Sequence, residues 1–255
     1  MEVCALTSGS SGNCFYIENQ GQAILVDVGI STKKVCERLE MIGKKPENIK
    51  GIFVSHEHSD HIRGVDVLAR KFNIPIFATE KTVKSRFLCS NEKLINYINK
   101  KDDIKIAGME IEVFSKFHSA IDPVSFTIVN GKRVSVITDV GHACKNVCSN
   151  VSDADFLFLE SNHDIEMLEK GPYPYHLKRW IKSDEGHLSN VQAALCVLEY
   201  ANPRLQHVIL SHLSDVNNEP AQALRTFNSL VKERKDLKLK SQVSGRHKPT
   251  EVFRV

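Results

Sequence analysis

Residues 51–61 read Gly51-Ile52-Phe53-Val54-Ser55-His56-Glu57-His58-Ser59-Asp60-His61, and the fold is decided there. Gly51–Ser55 is a short apolar run ending at the first histidine, which predicts a buried strand. Apolar spacing at Val65, Leu68, Ala69 and Phe72 predicts a helix over Ile62–Phe72. Between them lie three histidines and an aspartate. In extended chain, residues two apart project to one side, so His56 and His58 can bind one ion. A turn into the helix lets Asp60 and His61 reach a second. Imidazole and carboxylate suit zinc, manganese or iron, and the absence of thiolates here argues against a purely structural zinc. The bland alternative is a solvated histidine-rich loop.

Upstream, Glu2–Thr7, Cys14–Glu18 and Ala23–Val26 read as strands, with the loop Ser8-Gly9-Ser10-Ser11-Gly12-Asn13 between the first two. A helix follows, capped by Ser31, striped by Val35, Leu39 and Ile42, and stopped by Gly43. Downstream come strands at Ile74–Ala78, Met109–Lys116, Val124–Val129, Arg133–Thr138 and Phe156–Leu159, with a turn signal at Asn130-Gly131. Helices at Tyr175–Ser183, Asn190–Tyr200 and from Pro220, with strands at His207–Leu210, Leu239–Val243 and Glu251–Val255, complete the reading. Two β-rich blocks, each followed by helices, predict an α/β (α+β, four-layer) architecture of two sheets face to face with helices outside. One domain over residues 1–255 is the simplest organisation.

Composition sets the limits. The chain has 255 residues, 42% hydrophobic and 25% charged, an ordinary globular balance. Met1–Thr7 lacks the basic and apolar regions of a signal peptide, and no apolar run approaches a membrane span. Seven scattered cysteines, an odd number, agree with a reducing cytoplasm and free thiols. A net charge of +3 gives no global pull on nucleic acid; the excess of lysine and arginine from Lys232 onward reads first as a solvated surface, although it permits a phosphate-backbone track.

Two ions need more ligands than one loop supplies. Three residues stand where loops follow strands: His118, Asp139 and His212. Together with Asp27 in Leu25-Val26-Asp27-Val28-Gly29, the His56–His61 segment, Thr138-Asp139-Val140-Gly141 and Ser211-His212, the set resembles the five ordered motifs of the metallo-β-lactamase superfamily. That resemblance implies an αββα sandwich with the site at one edge of two sheets. It implies His56, His58 and His118 on the first metal, Asp60, His61 and His212 on the second, and Asp139 bridging. Asp27 would stand behind them, fixing ligand orientation. The implied cofactor is a pair of divalent ions, zinc or manganese first and iron possible. A carboxylate at position 139 favours a coupled pair holding one hydroxide for in-line displacement at phosphorus.

The superfamily hydrolyses lactams, thioesters, lactones and phosphodiesters, so its fold does not give the substrate. The Ser8–Asn13 loop resembles the opening loop of the phosphodiesterase and nuclease branches. It makes Ser8, Ser10, Ser11 and Asn13, with His163, candidates for phosphate contact; a surface turn is the alternative. Leu159-Glu160-Ser161-Asn162-His163-Asp164 and Gly186-His187-Leu188-Ser189-Asn190 are similar to paired elements of tRNase Z. By that similarity Glu160 orients His187 and His187 protonates the departing oxygen, so that Asp60, Glu160 and His187 are the expected catalytic groups. His187 could instead cap the helix after Ser189. The full run, with Gly171-Pro172-Tyr173-Pro174-Tyr175, is most similar to the YycJ/WalJ group, which implies a 5′→3′ exonuclease acting on DNA. No long tRNA-clamping arm and no RNase J-type inserted domain is evident. The expected partner is therefore nucleic acid, DNA first, with no membrane contact and no sign of an oligomeric state. The rival readings are an RNA-processing nuclease and a hydrolase of a cyclic nucleotide, lactone or thioester. The near-neutral charge suits the last.

Overall fold

A computed structural model describes residues 1–100, 102 and 104–255. In chain order the first elements are β1 (Glu2–Thr7), β2 (Cys14–Asn19), β3 (Gln22–Val26), α1 (Thr32–Met41), β4 (Ile49–Phe53), α2 (Ser59–Ile62), α3 (Val65–Phe72), β5 (Ile76–Thr79), α4 (Glu80–Ser85) and β6 (Ile95–Ile98). There follow β7 (Ile104–Ile106), β8 (Met109–Ser115), β9 (Val124–Asn130), β10 (Lys132–Ile137), α5 (Lys145–Asp153), β11 (Phe156–Glu160), α6 (Ile165–Lys170) and α7 (Tyr175–Ile181). The chain ends with α8 (Asn190–Tyr200), β12 (His207–Ser211), α9 (Pro220–Val231), β13 (Lys240–Val243) and β14 (Phe253–Arg254). Two compact units divide these elements. One contains Met1–Phe114, Ala120–Gly131 and Gly245–Val255; the other contains Ser115–Ser119 and Lys132–Ser244.

In the first unit a mixed sheet runs β14-β1-β2-β3-β4-β5-β6. Its β1, β2 and β14 pair antiparallel, whereas β3 to β6 are parallel. The short apolar runs are explained by burial: β1 and β3 are covered along nearly their whole length, so both faces need apolar side chains. Leu6, Tyr16, Leu25, Ile52, Val54 and Ile76 build a core with Val35 and Leu39 of α1 and Val65 and Leu68 of α3. The Ser31 hydroxyl caps α1 by accepting from Lys34 N, a contact of a kind that contributes about 1 kcal/mol. Gly43, at φ +70°, ends that turn in a conformation suited to glycine.

The expected helix over Ile62–Phe72 is split in two. Gly64 lies so close to the strand-following segment that an added Cβ would sit 2.0 Å from Ile30 O, and its own N–H donates to Val28 O at 2.8 Å. The break lets α2 turn Asp60 and His61 independently of α3. Gly29 serves the same loop from the other side, since a Cβ there would stand 1.6 Å from Asp60 O.

The second unit places β13-β12-β11-β10 side by side, all parallel. Ile137 pairs with Leu159, Leu159 with Leu210 and Glu160 with Ser211, so the three strands end level. Parallel sheets carry their sites in the loops beyond the carboxyl ends of the strands. Asp139, Glu160 and His212 occupy those ends here, as Asp27 and His56 do beyond β3 and β4 in the first unit. Helices α5 and α6 were not anticipated from the sequence; α5 buries only Val147, Cys148 and Val151, too few apolar positions to give a clear stripe. Among the described residues no helix is long and apolar enough to cross a membrane.

Gly29→Ala should therefore cost about 1–3 kcal/mol, the usual penalty for forcing an atom into a packed position. Urea unfolding of the variant and the parent checks this.

Candidate metal centre and acid group

Three donors of the first unit owe their direction to Asp27. Its Oδ1 accepts from the Ser55 N–H at 2.8 Å, and its Oδ2 accepts from the Ser55 hydroxyl at 2.8 Å and from His61 Nδ1 at 2.7 Å. A carboxylate only accepts, so His61 carries its proton on Nδ1 and leaves Nε2 bare. Ser55 gives its own proton to Asp27, and its oxygen then accepts from His56 Nδ1 at 2.9 Å, which leaves His56 Nε2 bare as well. That Nε2 faces His58 Nδ1 across 3.0 Å, while His61 Nε2 lies 3.4 Å from Asp60 Oδ2. Two imidazole nitrogens in one pair, and an imidazole beside a carboxylate in the other, are donor sets suited to divalent zinc, manganese or iron.

Behind these donors stands Asn13, fully buried, with its Nδ2 3.4 Å from Asp60 Oδ2 and 3.2 Å from His61 Nε2. The Ser8 hydroxyl and Gly9 N–H both donate to Asn13 Oδ1. Ser8 and Asn13 thus brace Asp60 and His61, and in this loop Ser10 and Ser11 are exposed. This bracing role for Asn13 was not foreseen, because its partners lie 47 and 48 residues further along the chain.

The second unit has its own cluster. His118 donates from Nδ1 to Gly186 O at 3.0 Å and points Nε2 at Asp139 Oδ1, 3.6 Å away. His212 Nε2 lies 3.3 Å from the same oxygen. Burial drives the His118 imidazole down to about 4, against the pull of Asp139, which favours the neutral form that can bind a metal. Asp139, Glu160, His187 and His212 offer donor atoms all within 4.8 Å of one another.

Glu160 is nevertheless a poor ligand. Its Oε1 accepts from His187 Nδ1 at 2.8 Å and from Asp139 N at 3.2 Å; its Oε2 accepts from Val140 N at 2.8 Å and Leu188 N at 3.0 Å. Four contacts fill a carboxylate's four acceptor positions. Burial opposes charge on Glu160, but the adjacent His187 more than offsets it and the carboxyl is held below its ordinary range. His187 is thus clamped by Nδ1 with its Nε2 directed elsewhere, and its ring lies parallel to His212 at 5.3 Å. It does not cap α8; Ser189 does, in a reciprocal pair with Gln192. His163 is 1% exposed, and burial lowers it to about 4, so it is a neutral interior group.

Asp27, Asp139 and His212 all adopt φ between 55° and 60°. Left-handed backbone costs a non-glycine residue roughly 1–2 kcal/mol, and such strain collects at functional sites. Here it turns each side chain sharply off the end of its strand.

If Asp27 directs the His56–His61 donors, Asp27→Ala should weaken metal binding about 10–100-fold with little change in the folded far-UV signature. Competition against a chromophoric zinc chelator measures it.

Comparison with known proteins agrees with this geometry. Residues 7–144 match the family model described as the metallo-β-lactamase superfamily. The chain is 39% identical over 219 residues to exodeoxyribonuclease WalJ of Streptococcus pneumoniae, covering 84% of this chain and 81% of that protein. It is 36% identical over 243 residues to exodeoxyribonuclease YycJ of Bacillus anthracis, covering 92% and 90%. Its fold matches the crystal structure of the metallo-β-lactamase fold protein YhfI from Bacillus subtilis with a TM-score of 0.72 over 98% of both chains, at 12% identity. Two mixed sheets flanked by helices, five motifs at the strand ends and these relatives lead to one conclusion: the chain belongs to the metallo-β-lactamase superfamily, in the group that contains WalJ and YycJ.

Proposed function

We propose that this protein is a metal-dependent phosphodiesterase that removes nucleotides from DNA in the 5′→3′ direction, with both units working as one domain. The Glu160–His187 pair carries the reading. A thioester expels a thiolate that needs little help, whereas a sugar alkoxide is expelled far more easily when protonated. A histidine clamped at Nδ1 by a saturated carboxylate, with Nε2 directed away, is a proton donor for that oxygen. The names of the relatives, both exodeoxyribonucleases, support DNA as the substrate.

In this reading His56, His58 and His118 would hold one divalent ion, Asp60, His61 and His212 would hold a second, and Asp139 would be available to both. Such a pair, zinc or manganese first, would supply Lewis acidity and an activated water for attack on phosphorus. The residues do the rest. Asp27 and Ser55 keep His56 and His61 in the tautomer that leaves Nε2 bare, Gly186 O does so for His118, and Glu160 stabilises the charged form of His187 until its proton passes to the leaving oxygen. Ser10 and Ser11, exposed in the braced loop, are available to substrate phosphate. All seven cysteines are free, which supports a reducing cytoplasm.

End-labelled single- and double-stranded DNA and RNA, digested with manganese, magnesium or zinc present, tests the reading. Stepwise loss from the 5′ end of DNA is expected, and failure to cleave DNA in any metal overturns it. His187→Ala should slow DNA cleavage about 10²–10⁴-fold. Its effect on bis(p-nitrophenyl) phosphate should be far smaller, because p-nitrophenolate leaves unaided; equal losses on both substrates contradict the acid role.

A further inference from the structure

Beside His187, in the second unit, stands Trp180 near the end of α7. Its ring lies 5.6 Å from the His187 ring at an interplanar angle of 85°, and 6.4 Å from His118. Although a large aromatic ring gains by burial, Trp180 remains 37% exposed. It is not loose: its indole N–H donates to Ser119 Oγ at 2.9 Å, which fixes the plane of the ring. In the same unit Phe117 is 52% exposed, with its ring 4.6 Å from that of His142 and tilted by 35°, and His142 is held by Asp184 O. Tyr175, at the start of α7, is 75% exposed with the Arg179 guanidinium 5.9 Å over its ring.

The charge on α7 itself is positive, with the exposed acids Asp184 and Glu185 following it. From Pro172 to Ser183 the chain carries Lys178, Arg179 and Lys182 and no acidic residue. Lys178 donates to Glu169 O and Lys182 pairs with the Glu169 carboxylate, so Arg179 is the cation of α7 held on an aromatic face. Exposed aromatic faces interleaved with cations are what single-stranded nucleic acid requires: bases stack on the rings, and the backbone meets the positive charge. A protein partner would need a broader apolar patch than separated rings among lysines and arginine.

We propose that Trp180 is a stacking platform for a nucleobase of single-stranded DNA, seating the nucleotide whose sugar oxygen His187 protonates, with Tyr175 and Arg179 receiving the adjoining strand. The platform rests on the nuclease reading and deepens it to a substrate class, single strands with intact bases. Trp180 acts as a positioning residue, since it holds the base and exchanges no proton.

Trp180 is the one tryptophan in the sequence, so its emission reports on the ring without substitution. Metal-free wild-type protein in EDTA is titrated with a ten-nucleotide oligothymidylate and with an abasic decamer of equal length and charge. The proposal predicts saturable quenching by the first and little by the second. With metal restored, Trp180→Ala should raise KM for single-stranded DNA roughly 5- to 100-fold, the worth of one stacked base, and Trp180→Phe should recover most of that loss. Equal responses to the two decamers, or DNA cleavage with unaltered emission and KM, overturns the platform and leaves the nuclease standing. Absence of both binding and cleavage of DNA overturns the nuclease reading and the platform with it.

Discussion

An imidazole is a useful ligand or acid only when the correct nitrogen faces the reaction, and in this protein an oxygen behind the ring makes that choice. Asp27 and Ser55 do so for His61 and His56, Gly186 O for His118, and Glu160 for His187. The acceptors are buried, so water cannot take their place and swap the tautomer. The acceptors differ. Burial keeps the His118 ring neutral against its carbonyl, whereas carboxylates stand behind both His61 and His187.

The fold serves this arrangement. Parallel strands that end level put Asp139, Glu160 and His212 side by side, and left-handed backbone at Asp27, Asp139 and His212 bends each loop immediately beyond its strand. Gly29 and Gly64 allow the loop backbones to pass at distances no side chain would permit, which locks the short helix carrying Asp60 and His61. Strain and close approach at these positions are offset by a fully buried core beneath them.

Much of this was legible because it is local. Strand limits at Glu2–Thr7 and the helix Asn190–Tyr200 follow from short-range pattern, and the histidine segment declares itself by composition. What escaped depends on residues distant in sequence. The division between α2 and α3 arises from Val28 and Ile30, and the bracing by Asn13 involves Asp60 and His61. The setting of Trp180 requires Ser119, His118 and His187 to meet its ring, and spacing along the chain says nothing of that. Asn13 was read as a phosphate contact from its loop, but a fully buried amide at the end of a glycine-rich turn is placed to support its neighbours.

The account depends on which nitrogen of each ring is bare, and that is directly observable. Long-range ¹⁵N–¹H correlation spectra of the metal-free protein at neutral pH, assigned with single histidine variants, distinguish the two tautomers. His61 and His118 should both appear as the Nδ1–H form with unprotonated Nε2. The Nε2–H form at either position would contradict the orientation on which the metal centre is built.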